Sequence, residues 1–145
     1  MNRIQLFEEY YKNNDYTELW DFIIETGKGN ITYLHTTKTK ENCESIMNNG
    51  LEFYDIHKTT DEISTIDDVE MVYKIKIREY YGNYIVIIQI DRSIPTPKYT
   101  ELTVKEPFVD EENDEIMYTL PPKFVKGYFN KQTGEIVKNP KFNPK

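Results

Sequence analysis

Two histidines, one cysteine and a dense run of carboxylates are the chemically versatile side chains of this 145-residue chain. His35 ends the apolar, β-branched stretch Ile31–His35 and is followed by Thr36 and Thr37. An imidazole with two hydroxyls beside it at the end of a strand can orient a polar ligand through hydrogen bonds. Thr59 and Thr60 bring a second pair of hydroxyls. Asp110, Glu111, Glu112, Asp114 and Glu115 crowd one short segment, and Glu115 opens the apolar run Ile116–Tyr118. Read from the residues alone, Asp110–Glu115 is an acidic loop. His57 reads as a surface residue. Cys43 lies at helical spacing from Ile46 and Met47 and reads as core. With so few histidines and a single thiol, no His-rich or Cys-based metal site can be assembled, and the carboxylates lack the spacing of a calcium loop. The expectation is a protein without a metal. The chain contains no P-loop, no Gly-x-Gly-x-x-Gly, no His-Glu-x-x-His and no Gly-x-Ser-x-Gly.

The elements that must hold these residues follow from periodicity and punctuation. Ile4, Leu6, Phe7, Tyr10 and Tyr11 outline a first helical face. Asp15, with Glu18 three residues on, predicts a capped second helix carrying Leu19, Trp20, Phe22 and Ile23, which stops at Gly27–Asn30. Ile31–His35 is a strand, Lys40–Asn49 a helix capped by Thr39 and closed by Gly50, and Lys58–Thr60 a short polar edge segment. Ser64 or Thr65 is positioned to cap a following helix, with Asp67 and Asp68 in its first turn. Its stripe would be Ile66, Val69, Tyr73, Ile77 and Tyr80. Tyr73, Ile75 and Ile77 also alternate with Lys74, Lys76 and Arg78, so a hairpin is the rival reading there. Tyr84–Asp91 is the clearest strand, apolar enough for burial on both faces. Short strands are expected at Glu101–Val104 and Ile116–Tyr118. A hairpin joins Phe124–Phe129 to Glu135–Val137, and Asn139–Lys145 forms a proline-containing tail.

These pieces predict one α+β domain over residues 1–145, with an N-terminal helical segment (1–30), an α+β core (31–138) and a tail (139–145). A net charge of −7 and only three arginines, Arg3, Arg78 and Arg92, disfavour a nucleic-acid partner. Charged residues make up 30% of the chain and the apolar run Tyr84–Ile88 is too short to cross a bilayer, so no membrane association is expected. Met1–Tyr10 shows no signal-peptide pattern, and the cytoplasm is the expected compartment.

The order of the pieces resembles the ADP-ribosyltransferase-like superfamily, which includes poly-ADP-ribose polymerases, bacterial ADP-ribosylating toxins and RNA 2′-phosphotransferases. The likeness covers roughly Ile31 to Phe129. It rests on a strand ending in His35-Thr36-Thr37, a helix ending in Asn49-Gly50-Leu51, the Thr59-Thr60-Asp61 segment, the strand Tyr84–Asp91, and Glu115-Ile116-Met117 running into Leu120-Pro121-Pro122. The resemblance implies a small, split, mostly antiparallel sheet flanked by helices, with NAD as substrate. It implies that His35 bonds the adenosine-side ribose, that Thr36 or Thr37 frames the nicotinamide amide through backbone, and that Thr59 or Thr60 braces the site. Glu115 takes the position of the late catalytic carboxylate, with Glu111, Glu112 and Asp114 in competition for it. Tyr84 is a candidate for stacking on the nicotinamide ring, alongside Tyr54, Tyr80 and Tyr81. Thr36 stands where the family has glycine, and Lys58-Thr59-Thr60 occupies the region of the family's tyrosine. The implied activity is cleavage of the nicotinamide–ribose bond with transfer of ADP-ribose to a macromolecule. The alternatives are a catalytically inactive interaction module with a protein partner, as in phage–host or toxin–antitoxin conflict, and an activity on 2′-phosphorylated RNA ends.

Overall fold

A computed structural model describes residues 16–64 and 68–145. The first helical face, the Asp15 cap and residues 65–67 therefore lie outside the described residues. Helix α1 (Thr17–Gly27) leads into strand β1 (Asn30–Thr37), helix α2 (Lys40–Asn49) and strand β2 (Leu51–Phe53). A single turn, α3 (Ile56–Thr59), precedes β3 (Asp61–Ile63) and α4 (Asp68–Ile77). Strands β4 (Tyr84–Asp91), β5 (Phe108–Asp110), β6 (Glu115–Leu120), β7 (Val125–Asn130) and β8 (Ile136–Lys138) complete the chain.

The strands form two antiparallel sheets, ordered β3-β1-β4-β7-β8 and β2-β6-β5. The fold is thus α+β. Strand β4 is buried on both sides because both of its faces are aliphatic. Ile85 and Ile87 pack with Leu19, Ile23, Met71 and Ile75 of α1 and α4. Val86, Ile88 and Ile90 pack on the other face with Cys43, Ile46, Phe53 and Leu120. The five-stranded sheet is therefore a middle layer, with α1 and α4 on one side and α2 and the small sheet on the other. Each aliphatic side chain fully buried there contributes about 1.5–3 kcal/mol.

Local chemistry accounts for the boundaries. Thr39 accepts a hydrogen bond from the Asn42 amide and starts α2. Gly50 ends it at φ +97°, where its amide bonds the Ile46 carbonyl. A Cβ at Gly50 would lie 2.1 Å from the Leu120 carbonyl oxygen, so this glycine also lets α2 close onto β6.

The hairpin alternative for the 66–80 region gives way to α4, with a different buried face from the expected one. Met71, Val72 and Ile75 are buried, whereas Val69, Tyr73 and Ile77 are exposed. Both faces of this helix carry apolar residues, so spacing alone did not choose between them. Thr59 and Thr60 lie in and just after the α3 turn rather than on a strand. Glu101–Val104 is not a strand: a 3₁₀ segment, Thr96–Glu101, buries Tyr99 there. The tail is held by the Asp91 amide on the Pro144 carbonyl and the Asn143 amide on the Lys123 carbonyl. No described helix is long and apolar enough to cross a membrane.

Candidate functional site

His35 sits near the end of β1, opposite Val86 of β4. Its Nδ1 lies 2.9 Å from the Thr59 carbonyl oxygen. A carbonyl only accepts, so Nδ1 carries the proton, and in the neutral ring Nε2 holds a lone pair. Burial pushes the His35 pKa below its ordinary value, and the bond to Thr59 offsets this only in part. The ring is therefore neutral near pH 7, with its tautomer set by one backbone contact.

This side chain borders two cavities. The larger, about 620 Å³, runs between the two sheets, from His35 and Thr37 of β1 along α2 to Glu52 of β2 and Thr119 of β6. Such a volume suits a cofactor-sized ligand. Asn42 donates from Nδ2 to Thr37 Oγ1 at 2.8 Å, fixing both groups on the wall. Glu52 and Lys105 form an ion pair of 2.9 Å at the rim, where both are half exposed and the pair adds little to stability. Lys105 Nζ also lies 4.9 Å from the centre of the Phe108 ring. Thr119 is 2% exposed, and its hydroxyl has no hydrogen-bond partner. A buried hydroxyl without a partner is uncommon in a folded protein, and this one has almost no surface on the cleft.

The smaller cavity, about 270 Å³, is lined by Thr36, Lys58, Thr59, Thr60, Arg78 and Tyr81, among others. Arg78 makes a fork on Asp61, with Nε at 3.1 Å and Nη2 at 3.3 Å from the carboxylate oxygens. Its guanidinium also lies 5.4 Å from the centre of the Tyr81 ring. Tyr80 and Tyr81 pack ring to ring at 4.2 Å.

His35 and Thr37 line the larger cavity, and His35, Thr36, Thr59 and Thr60 line the smaller one. Tyr84 lines neither: its ring meets Tyr128 at 6.1 Å and packs against the core. Glu115 lines neither and is exposed at the first position of β6. It lies four residues before Thr119, roughly 13 Å along a strand. The neighbouring turn is organised by Asp110, whose carboxylate accepts from the Glu112 amide at 3.0 Å and from Asn113 Nδ2 at 3.2 Å. Asp114 closes it at φ 59°.

Glu52, Lys105, Asn42 and Thr119 are wall residues that sequence reasoning missed. The alternation Leu51-Glu52-Phe53, with both apolar residues buried, points Glu52 away from the core and was the one available signal. Among the described residues no group of three or more His, Cys, Asp or Glu side chains is placed to hold a metal ion. No protein-family model, no curated protein and no solved structure matches this chain.

Proposed function

We propose that this chain is an ADP-ribosyltransferase-like protein that takes NAD in the cleft between its two sheets. The observation that carries the reading is the cleft itself, about 620 Å³ between the two sheets, a volume that suits a cofactor-sized ligand. Two further features support the reading. The antiparallel strands are divided into two sheets, as the resemblance implies. His35, the residue expected to meet a ribose, opens onto the cleft as a neutral ring whose Nε2 can accept from a sugar hydroxyl.

NAD supplies the labile bond between nicotinamide and ribose. The protein's part is to hold the sugar, exclude water from it and set a negative group beside the anomeric carbon as positive charge develops there. Two carboxylates are candidates for that last role. Glu115 heads β6 as the resemblance implies, and Glu52 lines the cleft with Lys105 as its counter-ion.

The test is nicotinamide release from NAD, with binding followed separately. Glu52→Gln is expected to slow release by about 100-fold or more while NAD binding persists. Unchanged turnover in this variant, with loss in Glu115→Ala, would move the role to Glu115. His35→Phe keeps a ring on the cleft wall but removes the Nε2 lone pair, and should weaken NAD binding about fivefold. If NAD produces no thermal shift in wild type, or His35→Phe binds it equally well, the proposal fails.

One observation favours a second reading, a non-enzymatic interaction module. The β5–β6 hairpin exposes the cross-strand pair Val109 and Ile116, together with Phe108, beside an acidic turn. Absence of both NAD binding and nicotinamide release would direct attention to this hairpin and to a protein partner.

A further inference from the structure

The smaller cavity differs from the rest of the molecule in charge. The chain carries a net −7, yet this cavity is lined by two cations, Lys58 and Arg78, against one carboxylate, Asp61. Its remaining polar side chains, His35, Thr36, Thr59, Thr60 and Tyr81, are uncharged near pH 7. The Thr36 and Thr59 hydroxyls have no hydrogen-bond partner among the described residues, and that of Thr60 is used on the Ile56 carbonyl. Lys58 has no ion-pair partner among the described residues. Its Nζ lies 5.6 Å from the centre of the Tyr54 ring, a contact that leaves the ammonium donors available. Arg78 is held by Asp61 through Nε and Nη2, which fixes the direction of the guanidinium without using all five of its N–H donors.

A flexible ammonium, a pre-oriented guanidinium and two threonines on the wall of one cavity are side chains that suit a phosphate dianion. The cavity, at about 270 Å³, holds more than a bare phosphate. Tyr81, on its wall, adds an aromatic surface for the organic part of a phosphate monoester. The same cavity meets His35 and Thr59, the two ends of the hydrogen bond that fixes the imidazole on the wall of the larger cleft.

We propose that the cavity between His35, Lys58, Arg78 and Tyr81 is a second binding site, for the phosphate group of a small phosphate monoester. The site shares His35 with the cleft but stands independently of whether NAD binds there. Because His35 lines both cavities, a ligand in the small one also meets the ring on the wall of the large one.

The experiment is a titration followed by amide and side-chain resonances, with inorganic phosphate and adenosine 5′-monophosphate as probes. Saturable shifts are expected at Thr36, Thr59 and Tyr81, and at the His35 ring. Lys58→Gln, an exposed substitution, should weaken binding about tenfold with the fold unchanged. Raising the salt should weaken binding in wild type. Tighter binding of the nucleotide than of phosphate would identify an organic phosphate as the ligand, and equal binding would identify phosphate itself. The proposal is overturned if neither probe gives saturable shifts, if Lys58→Gln binds as well as wild type, or if the shifts fall only along α2 and Thr119. None of these results alters the measurement of nicotinamide release, so the two proposals fail separately.

Discussion

At His35 two requirements meet in one ring: it packs at the end of a central strand and presents a polar atom to a cavity. Because burial lowers its pKa below the ordinary 6.5, the folded protein favours the neutral ring. Between the lowered and the ordinary value, the unfolded chain binds the extra proton and the folded one does not. The stability that the neutral ring contributes is therefore complete above about pH 6.5 and declines as pH falls below it, until His35 protonates in the fold as well. Urea midpoints for wild type and His35→Gln, taken at pH 7.5 and 5.5, check this: the drop on acidification should be smaller in the variant. Equal drops would show that the ring does not carry the effect. At this scale the sequence revealed that a histidine ended a strand. It did not reveal that the Thr59 carbonyl would set the tautomer, because the residue that accepts the bond lies 24 positions away in a separate turn.

Gly50 is where the behaviour of a whole element hangs on one backbone position. It ends α2, bonds the Ile46 carbonyl and lies against Leu120, with the Thr119 methyl only 3.1 Å from where a Cβ would be. Gly50→Ala forces a Cβ against a carbonyl oxygen at a positive φ, so a loss of about 3 kcal/mol or more is expected in denaturant unfolding. A change much below 1 kcal/mol would mean that β6 shifts freely away from α2. The elements themselves were unevenly legible. Helix α2 was readable at both ends, since a Thr cap and a Gly stop are local chemistry. Strand β4 was readable because its run of Ile and Val has no polar face to offer solvent. The buried face of α4 was not readable, since Met71, Val72 and Ile75 compete with the equally apolar Val69, Tyr73 and Ile77, and the choice is made by the strand beneath. The segment 58–60 looked like an edge strand because threonines favour strands, yet the Asp55 carboxylate accepts from the His57 amide and nucleates a helical turn. The cleft was unreadable for a related reason: its walls come from β1, α2, β2 and β6, and only tertiary pairing brings them together.

Across the whole molecule, α1 is held to the sheet by polar contacts set among apolar ones. Gln89 of β4 donates to the Ile23 carbonyl at 2.8 Å and accepts from the Thr26 hydroxyl at 2.8 Å. Lys126 of β7 is buried, donates to the Phe22 carbonyl, stands 4.3 Å from the centre of the Phe22 ring and pairs with Glu25 at 3.0 Å. Burial lowers the Lys126 pKa, and Glu25 offsets part of that. Glu25→Gln removes the offset and leaves a buried ammonium without its counter-charge. The variant should be less stable at neutral pH. Its folded state gives up the Lys126 proton at lower pH than the unfolded chain does, so its stability should recover as pH rises toward the ordinary lysine value of 10.5. Adding Lys126→Met should abolish the recovery. Denaturant midpoints between pH 7 and 10 measure both, and a Glu25→Gln profile parallel to wild type would show that the pair contributes nothing to the attachment of α1.

The order of the strands has a consequence for how the chain is made. Strand β1 lies between β3 and β4, and its longer partnership runs from Thr37 with Tyr84 to Asn30 with Asp91. Strand β2 waits for β6, where Leu51 meets Leu120. During synthesis, therefore, β1 leaves the ribosome well before β4 exists, and only the three-residue β3 can shelter one of its edges meanwhile. Until Asp91 has emerged, the other edge of Asn30–Thr37 stays open to a chaperone or to a second copy of the chain.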